Sequence, residues 1–281
     1  MEREQLTDAE SHEVQAFLDM GIKIPTQPKV LLEIDAIARQ PRTNTKAIAS
    51  LIAGDAGMVS ALFKISNSPA FALSTKLDSV ESAISVLGLQ QVLNLVKCTL
   101  LRQTIGGNAP VYEKFWERSA DIAQLAAFVA QKQLQICNIV PEQAYMAGLF
   151  YECGVPILMQ RFPEYGASFR LTVQGGWPQL AEEDRLFDTD HAVVGYLVSR
   201  YWRLPSFIGQ SIRYHHDIAY ASSAARTMVA ILQMATHLYN KRHYLADEVE
   251  WPHTLPAVLS ELGLNVAGVQ EFEDDILDSF N

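Results

Sequence analysis

The spacing of apolar residues along this 281-residue chain is helical almost everywhere. Apolar side chains recur every three or four residues, as at Val30, Leu31, Ile34 and Ile37, and the alternation typical of strands is nearly absent. We therefore predict an all-α protein. In the second half the pattern predicts helices at about 112–135, 141–153, 154–174, 179–187, 191–203, 205–216, 223–244, 254–262 and 266–279.

Several helix starts are marked by residues whose side chains satisfy free backbone N–H groups. Thr7–Glu10 and Asp78–Glu81 have the spacing of capping boxes, and Asp55 is placed to cap another helix. Pro141 suits the first turn of a further helix. These positions predict where helices begin.

The strongest break in the first half is the run Gly106–Pro110. We place a lobe boundary there and predict a multi-helix bundle in two packed lobes. The N-terminal helical lobe is assigned to residues 1–108, and residues 109–281 are assigned to a second helical lobe with C-terminal helices.

Composition narrows the class of protein. Hydrophobic residues make up 49% and charged residues 19% of the chain, which suits a well-cored globule. The net charge of -10 argues against a nucleic-acid partner, because phosphate backbones attract basic surfaces. The charged N-terminus does not resemble a signal peptide, and no apolar run is long enough to span a bilayer. We expect a cytoplasmic protein with no membrane partner.

Three cysteines, Cys98, Cys137 and Cys153, stand in apolar surroundings and form no CxxC pair. Buried reduced thiols fit a cytoplasmic compartment, and this pattern predicts neither a zinc knuckle nor a redox pair.

Four predicted helices each place one polar residue on the apolar face. These residues are Arg118, Glu152, His191 and Thr236. Buried charges need partners, so four such positions predict a polar pocket in the second lobe.

The run His215-His216-Asp217 closes a predicted helix and has two interpretations. The histidines could stabilise a helix C-terminus, with Asp217 capping the loop, or they could form a metal or phosphate site. Neighbouring residues on a helix point about 100° apart, so we do not expect both rings to reach one ion without a bend there.

Seven segments, in order along the chain, resemble the HDOD domain family. They are Ile24–Pro28, Leu62–Phe71, Ser79–Leu89, Phe115–Ser119, Ala147–Gly154, Asp190–Gly195 and Ile212–His216. Ala147–Gly154, for example, is similar to the family's AGLLHDIG motif. Each segment is short, but the seven segments together, in this order, are specific for the HDOD family.

The resemblance implies an α-helical bundle whose second lobe derives from the HD metal-dependent phosphohydrolases. In those enzymes the pattern H…HD…D holds a divalent metal that activates water. By resemblance, the first His corresponds to Arg118, the His-Asp pair to Tyr151 and Glu152, and the last Asp to Thr236. His191, His215 and His216 match auxiliary histidines of some HD branches.

A guanidinium is always charged and cannot ligate a cation, so Arg118 should repel a metal at the first ligand position. We therefore predict that Arg118 pairs with Glu152, while Tyr151 and Thr236 complete the hydrogen bonds. We expect no catalytic residue, no metal and no cofactor. The predicted degenerate HD pocket consists of Arg118, Tyr151, Glu152, His191, His215, His216 and Thr236.

These features favour a non-catalytic bacterial signal-transduction module that binds a signalling protein or a small ligand. Two alternatives stay open. A residual metal-dependent phosphohydrolase would use Glu152, the three pocket histidines and Asp217. A sensor of anions or nucleotides would use the positive charge of Arg118 together with His191 and His215.

Overall fold

The computed structural model describes residues 15, 17, 19–71, 75–107, 109–173, 175–246 and 250–280. Within these residues the chain is helical, with no strand, and the all-α prediction is confirmed. Numbered in chain order, the α-helices are α1 (Lys29–Ala38), α2 (Thr45–Ala53), α3 (Ala56–Ser66), α4 (Val80–Leu87), α5 (Leu89–Ile105), α6 (Pro110–Lys132), α7 (Leu134–Cys137), α8 (Pro141–Phe150), α9 (Gly154–Arg161), α10 (Tyr165–Ser168), α11 (Leu180–Phe187), α12 (His191–Tyr201), α13 (Ser206–Tyr214), α14 (Ser223–Arg242), α15 (Trp251–Glu261) and α16 (Val269–Phe280).

The helix caps follow the sequence with one shift of register. The Asp55 side chain accepts a hydrogen bond from the Met58 N–H at 2.9 Å, as predicted. The capping box at the start of α4 pairs Ser79 with Ser82, one residue later than Asp78–Glu81. Ser79 has an extended backbone, so it is the N-cap and Asp78 lies outside the helix. The predicted Thr7–Glu10 box lies outside the described residues.

The prediction of a single helix over residues 154–174 is wrong. The chain forms α9, which ends at Arg161, and then the short α10. Pro163 is the cause, because the residue before a proline is driven out of the helical conformation. Phe162 accordingly has φ −117° and ψ 99°.

The centre of the fold is the long helix α6, which packs along α8 and α14. Its approach to α8 is close enough that a methyl group on Gly148 would lie 2.7 Å from the Ala123 α-carbon. The start of α12 packs on α9 and on α13. This packing brings α6, the end of α8, α12 and α14 around one interior region.

The break at Gly106 separates α5 from α6, as the sequence predicts. Buried residues on both sides nevertheless belong to one continuous hydrophobic core. Polar contacts also join the two parts: the Trp202 indole N–H donates to the Pro25 carbonyl at 2.8 Å, and Gln27 donates to the Tyr201 carbonyl at 2.9 Å. The division into lobes at residue 108 stays a prediction.

The C-terminal helix α16 packs on the body of the protein. Ile276 is fully buried, and the Phe280 ring meets Phe128 edge-on at a centroid distance of 6.5 Å. The Lys241 ammonium donates to the Glu273 carboxylate at 2.8 Å, which ties α16 to α14.

Within the described ranges, none of the helices has both the length and the apolar composition to cross a membrane alone. The neighbouring helices α2 and α3 pass that test only as a pair, and they meet at an angle of 105°.

Candidate functional site

The polar residues predicted on apolar helix faces do lie in the interior. Arg118 is on α6, Thr236 on α14, and His191 opens α12. Tyr151 and Glu152 follow α8 directly, where the chain turns toward α9. The seven residues predicted for the pocket are all buried: Arg118, Tyr151, Glu152, His191, His215, His216 and Thr236.

The predicted ion pair between Arg118 and Glu152 is present. A guanidinium nitrogen, Nη1, lies 2.5 Å from Glu152 Oε2 and also donates to the Tyr151 hydroxyl at 2.9 Å. The Thr236 hydroxyl lies 3.4 Å from the same Tyr151 oxygen. Four positions that the resemblance equates with metal ligands therefore form one hydrogen-bonded chain.

Trp177 completes this cluster, and sequence reasoning missed it. The guanidinium carbon of Arg118 lies 3.8 Å from the centre of the Trp177 ring, a cation–π contact. The indole N–H donates to the second oxygen of Glu152. Trp177 lies between the helices predicted at 154–174 and 179–187, where no periodicity indicates which way a side chain points. A tryptophan whose indole N–H is buried usually has a hydrogen-bond acceptor, and here that acceptor is Glu152.

The three histidines meet beside Tyr151. His191 Nε2 lies 3.2 Å from Nε2 of His215 and 3.2 Å from Nε2 of His216. The sequence predicted that the adjacent pair would need a bend to face one point. The helix α13 ends at Tyr214, and the two rings converge beyond that end, with centroids 4.2 Å apart.

The position of His191 is fixed by its carboxylate partner Glu183, a residue that the sequence pattern did not indicate. Glu183 Oε2 lies 2.6 Å from His191 Nδ1, and Oε1 accepts from the His191 backbone N–H at 3.2 Å. The Tyr165 hydroxyl donates to the same carboxylate. Glu183 is therefore a buried carboxylate, completely enclosed, with three donors around it.

Burial and charge act on the histidines in opposite ways. Burial alone would lower the pKa of His191, but the charge and hydrogen bond of Glu183 outweigh it and raise that pKa to about 9. Burial, followed by the charges of His216 and His191, holds the pKa of His215 well below its ordinary value.

Asp217 lies apart from this cluster. Its side chain is exposed, and it accepts from the Ala219 N–H at 2.9 Å to cap a short 3-10 turn. The capping role predicted for Asp217 is therefore present, and Asp217 does not lie with the other residues suggested for a residual hydrolase site.

A small cavity of about 20 Å³ adjoins the histidines, enough for one water molecule. Among the described residues, its wall includes Tyr151, His215, His216, Gln233 and Glu250. The cavity is too small for a nucleotide.

The structure is thus an all-α domain with a buried cluster of histidines and charged side chains. The HDOD domain model matches residues 24–218. The chain belongs to the HDOD family.

Solved structures share the fold over nearly the whole chain. An HDOD domain protein of unknown function from Geobacter sulfurreducens has 22% identity and a TM-score of 0.64, covering 97% of this chain and 95% of its own. A protein of Marinobacter aquaeolei VT8, provisionally named a signal transduction protein, has 21% identity and a TM-score of 0.67. That match covers 98% of this chain and 65% of the Marinobacter chain. A Shewanella amazonensis SB2B protein, provisionally named a phosphohydrolase, has 17% identity and a TM-score of 0.67, and the match covers 98% of this chain and 96% of the Shewanella chain. These likenesses show the fold alone.

A curated relative, an uncharacterized protein of Treponema pallidum (strain Nichols), is 22% identical over 213 residues. The match covers 75% of this chain but only 41% of that relative's length.

Proposed function

We propose that this protein is a regulatory module of bacterial signal transduction that acts by binding and does not hydrolyse phosphate esters. The observation that carries the proposal is the buried ion pair of Arg118 and Glu152, 2.5 Å apart. Glu152 is the one residue with metal-ligand chemistry among the four positions that the resemblance equates with the H…HD…D ligands.

The carboxylate of Glu152 is already engaged at both oxygens. One oxygen receives Arg118 and the other receives the Trp177 indole N–H. A divalent ion at this point would have to displace a guanidinium that carries a permanent positive charge. The four positions equated with the H…HD…D ligands therefore offer one carboxylate that is already engaged, whereas a hydrolytic metal centre needs several protein ligands and an open position.

The contacts of Arg118 also favour binding of a protein over sensing of an anion in this pocket. Its charge is neutralised by Glu152 and covered by the Trp177 ring. The adjoining cavity of about 20 Å³ has room for a water molecule, not for a nucleotide. The provisional name of the Marinobacter aquaeolei VT8 protein supports a role in signalling.

The enzymatic part of the proposal is tested by hydrolysis assays on the full chain. Phosphomonoester, phosphodiester and cyclic dinucleotide substrates are offered with Mn²⁺, Mg²⁺ or Zn²⁺. We expect no turnover above the metal-only blank, for the wild type and for Glu152→Ala alike. Turnover in the wild type that Glu152→Ala removes would overturn the proposal.

The regulatory part is tested by isolating the tagged chain from the cells that make it. We expect a partner protein at fixed stoichiometry after mild cross-linking, identified by mass spectrometry. Isolation of the chain alone, under conditions that preserve a known signalling complex from the same cells, would contradict a binding role.

A further inference from the structure

The three buried histidines present the same ring nitrogen to a common point. His191 Nε2 is 3.2 Å from the Nε2 atoms of both His215 and His216, and all three ligand atoms lie within 4.8 Å of one another. All three residues are buried, with exposed fractions of 0–4%. Like polar atoms at this distance inside a protein need an explanation.

The other ring nitrogen of each histidine faces an oxygen. His191 Nδ1 is 2.6 Å from Glu183, and His215 Nδ1 donates to the Ile212 carbonyl at 2.7 Å. His216 Nδ1 lies 3.6 Å from Glu250 Oε1. For His191 and His215 the oxygen acceptor holds a proton on Nδ1, so the Nε2 atom can offer its lone pair to the shared point once any second proton is released.

Three inward lone pairs repel one another unless a proton or a metal cation lies between them. A carboxylate or carbonyl behind each imidazole is the arrangement that orients histidine ligands around metals and raises their basicity. The oxygens of Glu183 and Ile212 supply that outer layer for His191 and His215. The Glu250 carboxylate faces His216 Nδ1 at 3.6 Å, beyond hydrogen-bond distance.

The spacing also fits one tetrahedral ion. Nitrogens bound at about 2.0–2.1 Å to a tetrahedral zinc lie about 3.3 Å apart, close to the two separations of 3.2 Å. The cavity of about 20 Å³ is bordered by His215 and His216 and has room for a water as fourth ligand.

We propose that His191, His215 and His216 bind one divalent metal ion of the zinc class through their Nε2 atoms, with a water molecule as fourth ligand. All-imidazole ligation favours zinc, cobalt, nickel and copper over magnesium and calcium, which prefer oxygen. The ligands are different residues from the Arg118–Glu152 pair, so this site does not depend on the proposed function and does not require hydrolysis.

The test uses Co²⁺ as a spectroscopic probe of the full chain after dialysis against EDTA. We expect binding to saturate at one Co²⁺ per chain, with visible absorption bands as intense as those of four-coordinate Co²⁺. Added Zn²⁺ should displace the Co²⁺ and abolish these bands. His215→Gln and His216→Gln should each weaken binding by at least about tenfold. His253→Gln is the matched control, because His253 is exposed on α15 and should leave binding unchanged.

A second variant keeps the test decisive if a histidine variant does not fold. Glu183→Gln retains all three rings but removes the charge behind His191, and it should weaken Co²⁺ binding by about 10- to 100-fold with an unchanged stoichiometry. Circular dichroism checks that each variant is folded.

Three results would overturn the proposal. The first is the absence of saturable binding at one ion per folded wild-type chain. The second is binding that survives both His215→Gln and His216→Gln. The third is an ¹⁵N NMR spectrum in which a proton stays on the shared Nε2 atoms after one equivalent of Zn²⁺ is added.

Discussion

Gly154, the first residue of α9, lies against the backbone of His191, the first residue of α12. A methyl group on the Gly154 α-carbon would overlap the His191 carbonyl oxygen and would lie 2.9 Å from the His191 α-carbon. The absence of a side chain at Gly154 therefore allows α9 to approach α12, and this approach fixes where the first histidine of the cluster stands.

Gly154→Ala should accordingly destabilise the protein. The clash is with backbone, which cannot rotate away, so we expect a loss of about 1–3 kcal/mol or more in the free energy of unfolding, measured by urea titration. Gly166→Ala is the matched control, because nothing lies within 4 Å of the added methyl on the short helix α10. That variant should be neutral or slightly more stable. Equal stability of the two variants would contradict the close approach.

Breaking the ion pair of Arg118 and Glu152 should be costly. Both side chains are buried, so Arg118→Ala leaves a carboxylate without its charged partner, and we expect a loss of about 3–5 kcal/mol. Glu152→Ala should cost a similar amount, whereas the double variant should cost less than the sum of the two. The free energies come from urea unfolding of all four proteins.

The control for this cycle is Arg42→Ala, which removes an exposed charge and should stay within about 0.5 kcal/mol of the wild type. Additive losses in the double variant would show that the two residues do not interact, contrary to the structure.

The docking of α16 should weaken in acid. Burial alone would raise the pKa of Glu273, but hydrogen bonds with His237 and Lys241 outweigh it and hold that pKa below its ordinary value of 4.5. A lowered folded-state pKa gives stability that is present above pH 4.5 and lost as the pH falls through the folded value.

The measurement compares unfolding free energies of the wild type and Glu273→Gln from pH 7 to pH 3. We expect the wild type to be more stable near pH 7, with the difference shrinking below pH 4.5. Glu271→Gln, an exposed change on the same helix, should track the wild type throughout. A difference that grows in acid would reverse the predicted sign.

The three cysteines should differ in reactivity in the native protein. Burial raises the pKa of Cys153 to about 12, and burial also raises that of Cys98. Cys137 is partly exposed, with a pKa raised to about 11 by burial and by the charge of Glu261. At pH 8 a thiol reagent should label only Cys137, slowly, because little thiolate is present.

In guanidinium chloride all three thiols should react, and Cys137→Ala should abolish the native reaction. Rapid labelling of Cys153 without denaturant would show that its surroundings open, contrary to its complete burial.

The polar interior could be predicted from single helices. Arg118, Glu152, His191 and Thr236 each interrupt an apolar stripe, and that interruption is visible in the spacing alone. The family resemblance then supplied which of these residues would meet. Their burial and the contact of Arg118 with Glu152 agree with that expectation.

Glu183 and Trp177 were missed because their partners lie on other elements. Glu183 stands between Glu182 and Asp184, so the sequence suggests a solvated acidic face and does not indicate which carboxylate is buried. Trp177 lies in a turn, where no periodicity indicates direction. Convergence of His215 and His216 was not predictable either, since it depends on α13 ending one residue before them.

Because Arg118 is part of the polypeptide, the cation at its position is synthesised with every copy of the protein. Chelators cannot extract it, starvation for metals cannot deplete it, and competing ions cannot exchange with it. Whatever metals the cell supplies, the position beside Glu152 keeps the same positive charge.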